Sequence, residues 1–190
     1  MSEPRVQAGR KRSPDAHRAI IDATLSTLSE VGFHQLTIEG VAARAGVAKA
    51  TVYRWWPSKA FLVLEVVSGQ LGEPMQPTGD TARDVRSVVS IIVEMISGMV
   101  GEVLLADVAR DPAAGQQLED LMGPYKAAHA SVLLAAAGRG DLPYDLDARK
   151  VLEWISGVAL YYKVMNRPPD ATLVDELTAL VLSGRIPRLA

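Results

Sequence analysis

Apolar residues recur along this chain at intervals of three and four, the spacing that lines one face of a helix. No run alternates apolar and polar positions as a half-buried strand does. Ser13 and Pro14 suit the start of a first helix, and Gly32 suits its end. Similar signals divide the remainder, and the predicted helices cover about 14–31, 37–45, 49–56, 59–67, 81–100, 103–110, 114–137, 146–165 and 171–183. The pattern predicts an all-α protein of about nine helices.

The segment 71–80 interrupts this pattern with two prolines and two glycines. Such clusters mark loops and linkers, so we expect a boundary near it. Charge also divides the chain: residues 1–60 carry nine Lys or Arg against five Asp or Glu, whereas residues 61–190 carry eleven against seventeen. A basic first part is typical of polyanion binding, and a chance fluctuation of a few charges is the alternative.

Composition narrows the classes of function. The 190 residues leave room for one domain or two small ones, and 48% of them are hydrophobic and 22% charged, as in a packed soluble protein. The absence of cysteine excludes disulfides, thiolate metal sites and a cysteine nucleophile. The N-terminus lacks the apolar core of a signal peptide, and no apolar stretch reaches the roughly 20 residues that span a bilayer. We expect a cytoplasmic protein without membrane contact.

The segment 37–59, TIEGVAARAGVAKATVYRWWPSK, carries the most specific signal. Two short predicted helices flank a tight turn at 45–47, which predicts a helix–turn–helix. On the second helix Val52 and Trp56 share one face. The opposite face and its flanks carry Ala50, Arg54, Thr51 and Tyr53. Arginine and methyl-bearing side chains suit the major groove of DNA, and a phenol or a lysine such as Lys59 can hold phosphates.

These residues resemble the TetR family of bacterial transcriptional regulators over about residues 13–62: a long first helix, then T-I-x-x-V-A-x-x-A-G-V, T-V-Y-x-x-W and S-K. The resemblance implies a TetR-like fold whose N-terminal helices bind DNA as a symmetric dimer. It implies a basic flexible arm over 1–12, a helix–turn–helix DNA-binding domain over 13–60, and a helical ligand-binding and dimerisation domain over 61–190. The segments GRGDLPYDLD and GVALYYKVM are similar, more loosely, to one C-terminal subtype of the family.

The resemblance also implies DNA contacts at matching positions. The set is Thr37, Arg44, Lys49, Ala50, Thr51, Tyr53, Arg54, Trp55 and Lys59. Within it, Thr37, Tyr53 and Lys59 correspond to phosphate contacts, and the outward face of the second helix corresponds to the groove-reading set. Trp55 either serves a phosphate through its indole N–H or simply packs. Arg44 reaches either the DNA backbone or a base.

Two features near this motif depart from the family pattern or allow more than one interpretation. Many family members have serine where this chain has Ala48, and loss of such a helix cap costs about 1 kcal/mol. The cluster Arg10, Lys11 and Arg12 either follows the phosphates or the minor groove, or is a solvated tail.

Soft and amphipathic side chains gather in the later helices. They are Met95, Met99, Met122, Tyr125, His129, Trp154, Tyr161 and Met165. In a sensor they would line an adaptable pocket between residues 81–137 and 146–165, and ordinary core packing is the alternative. The three histidines are scattered along the chain, so we expect no metal site, and we expect no cofactor. The last two long helices carry apolar stripes around Val158 and Leu177, which predict a homodimer interface.

The expected function is a sequence-specific DNA-binding regulator. We expect a repressor that binds a palindromic operator as a dimer and is released by a small, largely apolar effector. A regulator without a ligand, a regulator controlled by a partner protein, and an activator stay open as alternatives. An all-helical enzyme is the remote alternative, because the sequence offers no catalytic constellation.

Overall fold

The computed structural model describes residues 14–70, 72–108, 111–167 and 169–189. Within these residues it contains nine α-helices, one π-helical turn at Leu104–Val108 and no β-sheet, which confirms the all-α prediction. The helices are α1 (Pro14–Gln35), α2 (Ile38–Arg44), α3 (Lys49–Trp55), α4 (Lys59–Gln70), α5 (Thr81–Ser97), α6 (Met99–Val103), α7 (Pro112–Gly138), α8 (Ala148–Val164) and α9 (Ala171–Leu182). The expected basic arm over 1–12 lies outside the described residues.

Glycines mark the places where helix boundaries differ from the predicted ones. Gly32 interrupts α1 with φ 73° and ψ 177°, and the helix then continues to Gln35 instead of ending. Gly98 ends α5 earlier than the sequence pattern predicts. Gly101 permits a close approach between α6 and α5, because an added Cβ would lie 1.8 Å from the carbonyl oxygen of Ile96. In place of the helix predicted over 103–110, the chain forms α6 and the π-helical turn.

The chain divides into two compact units, one up to Val66 and one from Val67 onward. In the first unit α1, α2 and α3 surround an apolar core with the start of α4. Its large, fully buried side chains include Trp56, Phe33, Ile20, Leu36, Val41 and Val52. This core fixes α2 and α3 against α1 and thereby sets the outward faces of the two short helices.

In the second unit α5 is the central helix and contacts α7, α8 and α9. The apolar stripe of α5 is buried together with the inward faces of the other three helices. This core includes Val85, Val88, Val89, Ile92, Leu133, Ala136, Val151, Ile155, Ala159, Leu173 and Val181. Burial of each aliphatic side chain of this size contributes about 1.5–3 kcal/mol, so this layer stabilises the unit.

The helix starts differ between the two units. In the second unit four aspartates cap helices, and each carboxylate accepts a hydrogen bond from a backbone N–H in the first turn. They are Asp80 (α5), Asp111 (α7), Asp147 (α8) and Asp170 (α9). In the first unit the hydroxyl of Thr37 caps α2, and Ala48 at the start of α3 provides no side-chain cap. Carboxylate caps also interact favourably with the helix dipole.

Asp84 anchors the segment that leads into α5. Its side chain is buried, and it accepts hydrogen bonds from the backbone N–H and hydroxyl of Thr78 and from the N–H of Gly79. Burial alone would raise the pKa of this carboxyl, but the hydrogen bonds outweigh burial and the pKa is lowered. The charged form of Asp84 therefore stabilises the folded unit.

Candidate functional site

The helix–turn–helix of the first unit is built from α2, a tight turn and α3. Gly46 adopts the left-handed conformation with φ 67°, and its N–H donates to the carbonyl of Ala43 at 3.2 Å. The N–H of Val47 donates to Ala42 at 3.0 Å, so the turn closes over the end of α2. Val41 and Val52 are completely buried and hold the two helices together. The turn residues that the sequence indicates thus produce the two-helix geometry.

The outward surface of α3 has a distinct composition. Ala50, Tyr53 and Arg54 are exposed, and Thr51 is half-buried at the edge of this surface. Within segment 37–59, which the structure describes throughout, Arg54 makes no ion pair; its guanidinium carbon lies 5.7 Å from the ring centroid of Trp55. The arrangement presents a guanidinium, a phenol and small side chains on one face, as the helical wheel indicates.

Two other basic residues of the predicted DNA set are already paired within the protein. Lys49 forms an ion pair with Glu39, and the hydrogen bond between them raises the pKa of Lys49 and lowers the pKa of Glu39. Arg44 donates to both carboxylate oxygens of Glu30, at 2.8 Å and 2.6 Å, and lies 3.3 Å from the hydroxyl of Thr27. Both ion pairs are solvent-exposed, so a phosphate could replace the carboxylate at small cost.

Thr37 and Lys59 lie at helix ends with structural bonds of their own. The hydroxyl of Thr37 accepts a hydrogen bond of 3.1 Å from the N–H of Gly40. The ammonium of Lys59 donates to the carbonyl of Phe33 at 2.9 Å and lies 4.1 Å from the Phe33 ring centroid. An ammonium has three donors, so this bond leaves capacity for a phosphate.

The tandem tryptophans of α3 have different surroundings. The indole nitrogen of Trp55 is buried and has no hydrogen-bond partner among the described residues. The indole nitrogen of Trp56 donates to Glu65 at 2.6 Å, and the other oxygen of Glu65 lies 2.7 Å from Nε2 of His17. Sequence reasoning did not find this linkage. Its signal was the single acidic residue within the apolar run 61–67 of α4.

A cavity of about 540 Å³ lies in the second unit between α5, α7 and α8. Its wall is mostly apolar and includes Ile92, Met95, Met122, Ala130 and Leu152, with His129, Tyr125 and Ser156 as polar members. Charged residues at its border occur as ion pairs: Glu119 with Lys126 at 2.7 Å, and Arg149 with Glu153 at 3.6 Å. Volume and lining are in the range of small-molecule sites.

The structure brings together half of the residues that the sequence suggests for a ligand pocket. Met95, Met122, Tyr125 and His129 line the cavity. Met99, Trp154, Tyr161 and Met165 do not line it. Trp154 instead borders a shallow apolar cleft between α8 and α9, and it is 51% exposed. Tyr161 and Met165 are also about half exposed, so α8 has an apolar surface that faces away from the cavity.

Two polar members of the cavity wall have contrasting surroundings. The hydroxyl of Tyr125 donates to the carbonyl of Gly72 at 3.1 Å. His129 is only 5% exposed, and its imidazole has no hydrogen-bond partner among the described residues. Burial lowers the pKa of His129, so the ring is neutral at physiological pH.

The sequence predicts neither a metal site nor contact with a membrane. Among the described residues, no three His, Asp or Glu side chains lie close enough together to hold a metal ion. His17 pairs with Glu65, and His129 belongs to the cavity wall. None of the described helices combines the length and apolar character that crossing a membrane requires.

Fold and site together define a helix–turn–helix regulator with a separate cavity-bearing helical unit. Family comparison agrees: residues 20–66 match the bacterial regulatory proteins of the tetR family, and residues 75–181 match the tetracyclin repressor-like C-terminal domain. The second match alone covers more than half of the 190 residues. The chain therefore belongs to the TetR family of transcriptional regulators.

Individual relatives extend the similarity over most of the chain. An uncharacterized HTH-type transcriptional regulator of Mycobacterium bovis is 29% identical over 175 residues, which cover 89% of this chain and 87% of the relative. The crystal structure of a TetR family transcription regulator superimposes with a TM-score of 0.69 and 25% identity, covering 91% of this chain and all of that one. FadR from Bacillus subtilis, crystallised with stearoyl-CoA, has a TM-score of 0.61 and 19% identity over 88% of this chain and 98% of its own, a likeness of fold.

Proposed function

We propose that this protein is a dimeric repressor that binds a palindromic operator through α3 and is released by a small, largely apolar effector. The observation that carries the proposal is the outward face of α3, which presents Ala50, Tyr53 and an Arg54 that makes no ion pair with any residue the structure describes. An exposed guanidinium on a helix of this kind can bond a guanine edge with two hydrogen bonds. Thr51, at the margin, can contact a thymine methyl.

Phosphate contacts would surround this reading face. Tyr53, Thr37 and Lys59 are the proposed phosphate ligands, and Lys59 retains donors beyond its bond to Phe33. Lys49 and Arg44 would contact DNA by exchanging their carboxylate partners for phosphates. Trp55 is a weaker candidate, because its indole nitrogen is buried and would need a local rearrangement to reach a phosphate.

Dimerisation would use the surface of α8 and α9 that faces away from the cavity. Val151, Trp154, Val158, Leu177 and Leu180 form an apolar cleft there, and Trp154 is about half exposed. Exposed apolar patches of this kind mark interaction sites. A second copy of the chain is the proposed occupant, since a two-fold operator needs two identical reading helices.

The cavity between α5, α7 and α8 is the proposed effector site. Its size suits a small molecule, and its thioether and aliphatic lining suits an apolar one. Release would be a population shift: effector favours a conformer whose two recognition helices do not match half-sites about 34–36 Å apart. By thermodynamic reciprocity, bound operator must weaken effector binding by the same factor.

The first test is selection of binding sites from random-sequence DNA duplexes, followed by footprinting. We expect a two-fold symmetric site whose half-sites are one helical turn apart. Arg54→Ala should weaken binding to it by about 1–3 kcal/mol, roughly 5- to 150-fold, and relax one base position in each half-site. Arg185→Ala, an exposed arginine of the second unit, is the matched control. Equal effects of the two substitutions, or a site without symmetry, would contradict the proposal.

A further inference from the structure

His129 is an exception among the buried polar side chains of this protein. Among the residues that the structure describes, the buried polar side chains are Thr24, Asp84, His129 and Thr178. Both threonines donate hydrogen bonds to backbone carbonyls of their own helices. Asp84 accepts hydrogen bonds from two backbone N–H groups and one hydroxyl. His129 alone in this group makes no hydrogen bond to a described residue, and its ring nitrogens are not among the fully enclosed atoms without a partner, so they remain accessible from the cavity. Its ring borders the cavity, which is where a partner can enter.

The position of His129 on α7 is shared with the rest of the cavity wall. Met122 and Lys126 precede it at helical spacing on the same face, and Met95 and Leu152 approach from α5 and α8. The imidazole is thus one polar group within an apolar wall. A neutral imidazole has one donor and one acceptor nitrogen, so it can bond a hydroxyl or a carbonyl.

Charge at the border of the cavity is balanced. Glu119 is paired with Lys126, and Arg149 is paired with Glu153. The two pairs sum to zero charge and give no net attraction to an ionised ligand group, and the apolar wall would strip water from such a group without compensation. Burial keeps His129 uncharged as well, which removes a cation that would favour an anion.

We infer that His129 is the hydrogen-bonding anchor of the cavity, and that the cavity takes uncharged, predominantly apolar molecules carrying a hydroxyl or carbonyl group. The inference rests on the proposed function of the cavity as an effector site. Ionised acids and amines of the same skeleton should bind more weakly for the same reason. The anchor sets the orientation of the ligand, and the thioether side chains of Met95 and Met122 adapt to its shape.

The test compares four matched probes on the full-length protein by calorimetry: 2-naphthol, 2-acetylnaphthalene, naphthalene and 2-naphthoate. The hydroxyl and ketone probes should bind on the order of ten-fold more tightly than naphthalene, and the carboxylate should bind most weakly. In His129→Phe this preference should disappear, whereas His129→Gln should retain part of it. His34→Phe, the same substitution at an exposed histidine of the first unit, should leave the preference intact.

A second measurement does not depend on any variant. The imidazole nitrogen resonances of His129 in the parent protein should shift on addition of 2-naphthol and stay unchanged with 2-naphthoate. Equal binding of 2-naphthol and naphthalene, tightest binding of the carboxylate, no binding of any probe, or a preference that persists in His129→Phe would overturn the inference.

Operator release is measured separately with the same probes. A hydroxyl preference that depends on His129, without any change in DNA affinity, would support the anchor and count against the cavity as the effector site. A change in DNA affinity with no preference for hydroxyl or carbonyl would support the effector site and overturn the anchor.

Discussion

The carboxylate of Glu65 in α4 accepts a hydrogen bond of 2.6 Å from the indole nitrogen of Trp56, the residue that directly follows α3. Its other oxygen lies 2.7 Å from Nε2 of His17 in α1. One carboxylate thus links three helices of the first unit. Trp56 is 2% exposed, so its N–H depends on this acceptor.

Replacing Glu65 should therefore destabilise the first unit, and the loss should be larger when the new side chain cannot accept a hydrogen bond. Glu65→Leu should lower the free energy of unfolding by about 1–3 kcal/mol, because the buried N–H of Trp56 loses its partner. Glu65→Gln keeps a carbonyl acceptor and should cost less. Urea unfolding followed by tryptophan fluorescence measures both. Equal costs for the two variants would show that charge, and not the acceptor, is what Trp56 requires.

Removing Glu39 should strengthen DNA binding. Its carboxylate pairs with Lys49 beside the proposed reading face, so Glu39→Gln frees one ammonium and removes one negative charge. Affinity should rise several-fold for operator and random DNA alike, and the salt dependence should steepen by about one phosphate contact. Glu119→Gln, which makes the same charge change beside Lys126 in the second unit, is the control. DNA-binding titrations at several salt concentrations measure both effects. An unchanged DNA affinity in Glu39→Gln would show that Lys49 does not contact DNA.

Ala48→Ser should stabilise the start of α3. Ala48 has extended backbone geometry with φ −70° and ψ 141° and no side-chain hydrogen bond, so a serine hydroxyl could accept from the first-turn amides. The expected gain is about 1 kcal/mol, seen as slower amide exchange across α3 and a later urea midpoint. Ala43→Ser, an exposed substitution inside α2, should give no gain, because serine is a poorer helix former than alanine.

Asp84 should make the second unit sensitive to acid. Its pKa in the folded protein lies below the ordinary value of 3.8, so its contribution is present above that value and is lost as pH falls through the lowered pKa. Asp84→Asn should be less stable at neutral pH, and the gap from the parent should narrow in strongly acidic solution. Thermal unfolding from pH 7 to pH 2 measures this. Glu73→Gln, an exposed control in the adjacent loop, should track the parent throughout.

The dimer prediction concerns the apolar cleft of α8 and α9. Sedimentation at micromolar concentration should report about twice the chain mass of 20.4 kDa. Trp154→Glu should shift the protein toward monomer, since a charge would be buried in the interface. Tyr144→Glu is a matched control, because Tyr144 is 91% exposed in the loop before α8. A monomeric parent, or equal effects of the two substitutions, would contradict the interface.

Sequence reasoning predicts best where helical spacing decides the outcome. The spacing of Val52 and Trp56 defines the buried face of α3, and the structure buries both residues. It also predicts eight of the nine described α-helices, since capping residues and glycines act locally, but it does not predict α6 or the π-helical turn that follows it. Ion pairs between elements, such as Arg44 with Glu30, escape such reasoning, because they depend on how α1 and α2 pack.

The residues predicted for a ligand pocket show a second limit of sequence reasoning. Helix α8 has two apolar surfaces, one that includes Leu152 in the cavity wall and one that includes Trp154 in the cleft. Periodicity identifies both surfaces but not which neighbour each one meets. Trp154, Tyr161 and Met165 could therefore not be separated from the true cavity wall by sequence alone.

Charged aspartates stabilise two places of the second unit. The hydrogen bond from the N–H of Lys150 lowers the pKa of Asp147, the cap of α8, and despite burial the hydrogen bonds from Thr78 and Gly79 lower the pKa of Asp84. Both contributions are therefore lost as pH falls through the lowered pKa values. As the medium acidifies, the start of α8 and the segment that leads into α5 weaken together, and α5 and α8 are two of the three helices that enclose the cavity.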